Sequence, residues 1–271
     1  MIPTLPRLRL FITFAKVRTS DVAIRKTDLH RHIRPVANAR EKMKISIFSR
    51  INTLTEVNWL KTVRFNLHYF PLKTAVKLPF FIYRRTVLYR MQGRIVADAP
   101  VKTGMVRIGL HGLGTQDRLY ARTIWEVYGT LRIRGTASIG RGSRISIGSD
   151  PAVLTLGDNF IITGDTEIIC GREITFGRNC LLSWDILIMD TDFHKVLDDK
   201  GKQTNAPRPI VFGDHVWTGC RVTVLKGVTV GSDNIISAGS VITGSFPQSH
   251  CAIGGNGKDA CILKSGISWE E

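Results

Sequence analysis

A six-residue period between Phe212 and Phe246 limits what this chain can fold into more than any other feature. Written in sixes, the stretch reads FGDHVW, TGCRVT, VLKGVT, VGSDNI, ISAGSV and ITGSF. The first positions are Phe212, Thr218, Val224, Val230, Ile236 and Ile242. The fifth are Val216, Val222, Val228, Asn234, Ser240 and Phe246, and glycine recurs in the turn-prone slots. A period of six is wrong for an α-helix and too long for a plain alternating strand. It fits a β-solenoid, in which each six supplies one short strand and one corner and three sixes close a triangular coil. First-position side chains of successive coils then stack along the axis, each contributing about 1.5–3 kcal/mol on burial. One hexapeptide cannot bury its own inward face, so the array is stable only as an array.

The period persists more loosely upstream. Ile133, Ile139 and Ile145 fall at steps of six, followed by Leu156, Ile162 and Ile168, then Phe176, Leu182 and Ile188. These positions predict an all-β solenoid over 96–246, with a polar, proline-containing loop over 194–211 thrown out from a corner. Residues 247–271 read as a tail folding back on the last coils. Residues 1–42 read as a basic leader, disordered in isolation or the product of a start codon placed too early. Residues 43–95 read as a basic aromatic segment, partly helical, that either caps the end of the solenoid or faces a membrane.

Charge separates these regions. Residues 1–100 hold 20 Lys+Arg against 5 Asp+Glu, whereas 101–271 hold 18 against 17, so nearly all of the formal +16 lies in the first part. Such asymmetry points to a polyanionic neighbour. Trp59, Phe65, Tyr69, Phe70, Phe80, Phe81 and Tyr83 alternate with Lys and Arg, which suits peripheral membrane contact through 43–95: rings at headgroup level, cations on lipid phosphates. Nucleic acid ranks behind a cap or a membrane surface, because no groove-reading motif accompanies the charge. No apolar run reaches membrane-spanning length, and the N-terminus has no clear cleavage site. The five cysteines, Cys170, Cys180, Cys220, Cys251 and Cys261, lack any CxxC pair and are expected as free thiols in a reducing cytoplasm. No metal is expected.

The mouth of the loop carries LLSWDILIMDTDFHKV, residues 181–196. His194 lies two residues after Asp192 and four after Asp190. An imidazole can take up a proton near neutral pH, and a nearby carboxylate can orient the ring, so Asp190, Asp192 and Asp185 are candidate orienters of a general base. Spacing alone leaves a second reading open, a surface histidine beside a polar turn. His111 and His250 have no acidic partner close in sequence, and His215 occupies an outward corner slot.

Segment 181–264 resembles the left-handed β-helix, hexapeptide-repeat acyltransferase family, above all the sugar O-acetyltransferases of the maltose/galactoside type and their relatives in capsule and lipopolysaccharide synthesis. The resemblance is carried by MDTDFH at 189–194, GDHVWTG at 213–219, GVTVGSDNIISAGSVIT at 227–243 and AIGGNGKDACILK at 252–264. It implies a trimeric left-handed parallel β-helix, acetyl-CoA as donor, and direct transfer to a sugar hydroxyl with His194 as base. It implies Trp217 beside the cofactor or acceptor, and with it Asp185 on the acceptor side. Small corner residues Gly219, Ala238, Gly239 and Ser240 would let the cofactor approach the backbone, and Lys258 and Lys264 would meet its phosphates. Cys220 is left as packing. The chain departs from the family where GNGKDA (255–260) replaces the usual GNPAK and where Lys226 replaces a proline.

The expected protein is therefore a cytoplasmic, homotrimeric O-acetyltransferase of surface polysaccharide or glycoconjugate synthesis. Its acceptor would be a sugar or lipid-linked saccharide, with a peripheral position at the inner membrane face as an extension. An N-acetyltransferase on an amino or nucleotide sugar and a non-catalytic scaffold are the alternatives. A γ-class carbonic anhydrase shares the solenoid but needs three zinc-ligand histidines, and only His194 and His215 lie in the relevant stretch.

Overall fold

The structure, a computed structural model, describes residues 54–270 apart from 111–113, 115 and 118. The leader expected over 1–42, and the start of the segment over 43–95, lie outside the described residues. The chain folds as a left-handed parallel β-helix with three sheets for faces. One full coil shows the plan: Phe160–Gly164 lies on the first face, Glu167–Cys170 on the second and Glu173–Phe176 on the third. Each strand pairs in parallel with its counterparts one coil before and one coil after.

Inward side chains form columns. Along the first face, Ile108, Ile139, Ile162, Leu182, Thr218, Ile236 and Ile253 are successive register partners. Along the second, Trp125, Ile145, Ile168, Ile188, Val224 and Ile242 follow one another. All are buried, as are all six first-position residues of the strict repeat. Inside the prism Phe160 from the first face and Phe176 and Phe212 from the third make a ring ladder with centroids 4.7 Å apart at each step. The corners turn through left-handed backbone: Asn159, Asn179, His215, Asp233 and His250, all between φ +53 and +58, occupy one corner of successive coils. Asn and Asp tolerate this region better than most residues, which explains their place there.

The described boundaries differ from the expected ones. The first coil opens at Phe80–Ile82 and continues through Thr86–Met91 and Arg94–Ala97, so the β-helix starts within 43–95 and not at 96. There the consecutive Phe80, Phe81, Ile82 and Tyr83 are all buried, whereas Arg84 and Arg85 are exposed. The coil stack also runs past Phe246: Cys251–Gly254 and Asn256–Gly257 continue it in parallel, and only Cys261–Ser265 folds back antiparallel. The loop covers 190–209, shorter at its end than the expected 194–211, because Ile210 is fully buried against Ile174. A further excursion between Leu110 and Thr123 leaves no periodic trace in the sequence.

Ahead of the first coil, helix α1 (Trp59–Tyr69) and the short α2 (Leu72–Ala75) cap the prism. Asn58 caps α1 by accepting from the Lys61 N–H at 3.0 Å. Helical side chains then take the place of a missing coil. The Asn66 amide donates to Phe80 O (2.8 Å) and accepts from Phe80 N–H (3.1 Å), Thr62 Oγ1 accepts from Ile82 N–H (3.0 Å), and Lys61 Nζ donates to Thr86 O (2.6 Å). Phe65 inserts below, against Phe80 and Trp125. Because Phe176 is the middle rung of the ring ladder, Phe176→Ala is expected to cost about 3–5 kcal/mol, read as a lowered denaturation midpoint with the far-ultraviolet β signal retained.

Candidate active site

Corners are the only places where a coil can lengthen without breaking a column, and the 190–209 loop leaves from the corner between the second and third faces. Asp190 stands at its exit. Its carboxylate is 0 % exposed and accepts from the backbone N–H groups of Gly171 (2.5 Å), Arg172 (2.8 Å) and Glu173 (2.6 Å) on the previous coil. It closes that corner and does not reach His194, so the expected orienting role does not hold for Asp190. Removing the carboxylate strands three donors. Asp190→Ala should lower stability by about 1–3 kcal/mol, measured by chemical denaturation.

Two residues on, the chain makes a three-residue turn. His194 N–H donates to Asp192 O at 2.6 Å, with Phe193 held at φ +61. A bulky residue in that region is strained and persists only where its surroundings fix it. Asn205 does so from across the loop: its amide donates to His194 O (2.7 Å) and to Asp192 Oδ2 (2.8 Å), and its oxygen accepts from Val196 N–H (2.7 Å). Lys226, on the next coil, donates to Asp192 Oδ2 and to Asn205 O (3.0 Å). The Asp192 carboxyl is held below the usual carboxylate range, first by Lys226 and then by Asn205. Asp192 therefore fixes the backbone that carries His194 and does not bond to its ring. The imidazole itself is exposed and bonds to no other described residue.

The remaining sequence candidates lie elsewhere on the prism. Trp217 projects from the first face, its Nε1–H donating to Ser183 Oγ (3.1 Å) and its ring 6.0 Å from that of Trp269. Gly219, Ala238, Gly239 and Ser240 line the corner between the first and second faces. A Cβ on Gly219 would fall 2.7 Å from Ala238 N, so successive corners touch there, and Gly239 turns at φ +75. Ser240 is buried and Ala238 exposed. Asp185, on the same corner, pairs at 3.4 Å with Arg221. Lys258 and Lys264 are exposed near the C-terminal end of the stack. One chain thus presents His194 at one edge of the second face, the small corner residues at the other edge, and Trp217 on a different face.

Two groupings have no short-range signal in the sequence. Asn205 and Lys226 are one. The other joins His215 and His250 to Asp233: His215 Nδ1 lies 2.9 Å from Asp233 Oδ1 and His250 Nε2 lies 3.8 Å from Asp233 Oδ2. The Trp269 ring stacks on His215 with centroids 4.3 Å apart, and its Nε1–H donates to His215 O (3.0 Å), pinning the tail to this corner. All five cysteines are free. Burial pushes the Cys180 thiol up to about 12 and raises the Cys170 thiol as well, while Cys220 is partly exposed and Cys261 exposed.

Residues 209–244 match the family described as bacterial transferase hexapeptide (six repeats). The hexapeptide repeat of that family is present in this stretch of the chain. Among similar proteins, this hexapeptide-repeat chain is 32% identical over 113 residues to the galactoside O-acetyltransferase of Lactococcus lactis subsp. lactis (strain IL1403), covering 41% of this chain and 48% of the relative. It is 32% identical over 145 residues to the polysialic acid O-acetyltransferase of Escherichia coli O1:K1 / APEC, covering 53% and 44%. The chain spans about half the length of these curated relatives. The crystal structure of the polySia-specific acetyltransferase NeuO aligns with a TM-score of 0.45 at 22% identity, over 71% of this chain and 79% of that one.

The carboxyls of the hexapeptide-repeat prism set its acid response. Asp192 is lowered by Lys226, Asp214 by the Arg178 guanidinium, and Asp158 by the Thr136 backbone N–H. A carboxyl whose folded value is depressed adds stability that is complete above its unfolded value, about 3.9, and is lost as pH falls through the folded one. Thermal midpoints should therefore hold on the neutral side and fall below about pH 4, and Lys226→Met should flatten that acid-side fall.

Proposed function

We propose that this chain is an acyltransferase that moves an acetyl group from acetyl-CoA to a sugar hydroxyl, with His194 as general base. The observation that carries the reading is the strained 192–194 turn. Asn205 and Lys226 lock its backbone while the imidazole stays clear of protein partners, which is what a base awaiting a substrate proton requires. The names of the relatives supply the reaction class and the kind of acceptor, galactosides and polysialic acid.

In the proposed step, a ring nitrogen of His194 accepts the hydroxyl proton as the sugar oxygen attacks the thioester carbonyl carbon. The C–S bond breaks, the CoA sulfur leaves with the electron pair, and the imidazolium returns its proton to that sulfur. Backbone N–H groups beside the thioester would stabilise the oxyanion as it forms. Asp192 is then a positioning residue acting through the turn. No acyl-cysteine enters, and the two most buried thiols are pushed away from the nucleophilic thiolate form.

The assembly proposed is a homotrimer. Its support is the division of candidates within one chain, since Trp217 and the corner of Gly219, Ala238, Gly239 and Ser240 are on other sides of the prism from His194. A neighbouring copy set against the second face would bring the two sets to one cleft, with Lys258 and Lys264 free to meet cofactor phosphates. Asp185, already paired with Arg221, would border the acceptor. The proposed setting is the cytoplasm, with an acceptor used in surface polysaccharide or glycoconjugate synthesis, free or lipid-linked.

The test is acetyl transfer from labelled acetyl-CoA to a panel of mono-, oligo- and lipid-linked saccharides. His194→Ala should lower kcat by about 10²–10⁴-fold with coenzyme A binding retained. Turnover undiminished in His194→Ala would end the assignment. Asn205→Ala should lower kcat less, with an unchanged KM for acetyl-CoA.

A further inference from the structure

The cap helices carry apolar surface that the core does not use. On α1, Thr62, Phe65 and Asn66 face the first coil and are buried. On the opposite side Leu60, Val63 and Leu67 recur at helical spacing and are 81, 42 and 52 % exposed. Leu72 and Val76, in and just after α2, are exposed as well, and so are Trp59 and Leu54. Scattered exposed leucines need no explanation, but an aligned stripe on the face turned away from the core marks a contact surface.

What surrounds the stripe identifies the occupant. Between Glu56 and Asp98 the chain contains eight Lys and Arg and no Asp or Glu. Arg64 lies on the outer face of α1 itself, and Lys73, Lys77, Arg84 and Arg85 are exposed nearby. The acid that begins this interval is engaged elsewhere, since Glu56 pairs with Arg141 at 2.7 Å. Aliphatic side chains in the middle with cations around them match an anionic bilayer, where leucines enter the acyl boundary and cations meet phosphates. A nucleic-acid site would have no use for a leucine stripe. Among the described residues no helix is long and apolar enough to cross a membrane, which leaves a surface attachment.

We infer that the outer face of α1 and α2, through Leu60, Val63, Leu67, Leu72 and Val76, rests on an anionic phospholipid surface. The aromatic set singled out in the sequence is not the contact: Phe65, Phe80, Phe81 and Tyr83 are core residues, Tyr69 and Phe70 are half-buried, and Trp59, the exposed ring of that set, adjoins the stripe. The inference rests on this surface and stands apart from the acetyl-transfer reading.

The full chain is mixed, without acetyl-CoA, with sedimentable vesicles of phosphatidylglycerol and phosphatidylcholine, or of phosphatidylcholine alone, at about 0.15 M ionic strength. Binding is expected to the mixed vesicles and to be much weaker to the neutral ones. The variant Leu60→Gln/Leu67→Gln/Leu72→Gln keeps every charge, including those of the leader. It should partition at least about tenfold more weakly while retaining its circular dichroism and its turnover of any soluble acceptor. Equal partition of variant and parent would overturn the inference, leaving simple charge attraction. Absence of binding by the parent would overturn it too and turn the stripe over to a protein partner.

Discussion

Every coil of this prism is held by the register of the coils on either side of it. The column from Ile108 to Ile253 has each inward side chain lying on its counterpart one turn away, and the second face repeats the arrangement from Trp125 to Ile242. Burial is therefore shared: removing one rung exposes surface on two others, and no six-residue unit has a core of its own. The same constraint fixes where variation is tolerated. Strand positions must keep the pleat, whereas corners need only reconnect, so the long 190–209 loop leaves from a corner.

The arrangement also governs how polar groups find partners. Neighbours across a corner are a whole coil apart in sequence, so His215 meets Asp233 eighteen residues away and Lys226 meets Asp192 thirty-four residues away. Asp190 turns the same geometry to a structural end, reaching back to hold the backbone of the preceding corner. Of the two carboxylates beside His194, one builds the wall and the other steadies the turn, and both act on backbone.

The strict repeat from Phe212 to Phe246 was fully legible, because branched apolar residues at first positions leave no second register that buries them all. The looser columns through Ile133, Ile139 and Ile145 were legible for the same reason. The first coil was not: in Phe80–Met91 a run of bulky apolar residues stands directly beside cations, which imitates an interfacial segment until the buried residues are known. His250 has no acid close in sequence, and His215 was read only as an outward corner residue, yet both face Asp233 from the neighbouring coil, because local spacing is the wrong measure in a solenoid. His194 was found because its loop interrupts the period, but Asn205, in the polar part of that loop, has no periodic or motif signal.

At its leading end the prism is finished by side chains. Asn66, Thr62 and Lys61 occupy the carbonyl and amide groups of Phe80, Ile82 and Thr86 that another rung would otherwise engage. A stack of parallel strands with an open terminal edge is a template for head-to-tail growth into fibres. Here the first-face part of that template and the start of the second face are already engaged by side chains of a single helix, so a second molecule cannot add a rung there without displacing them.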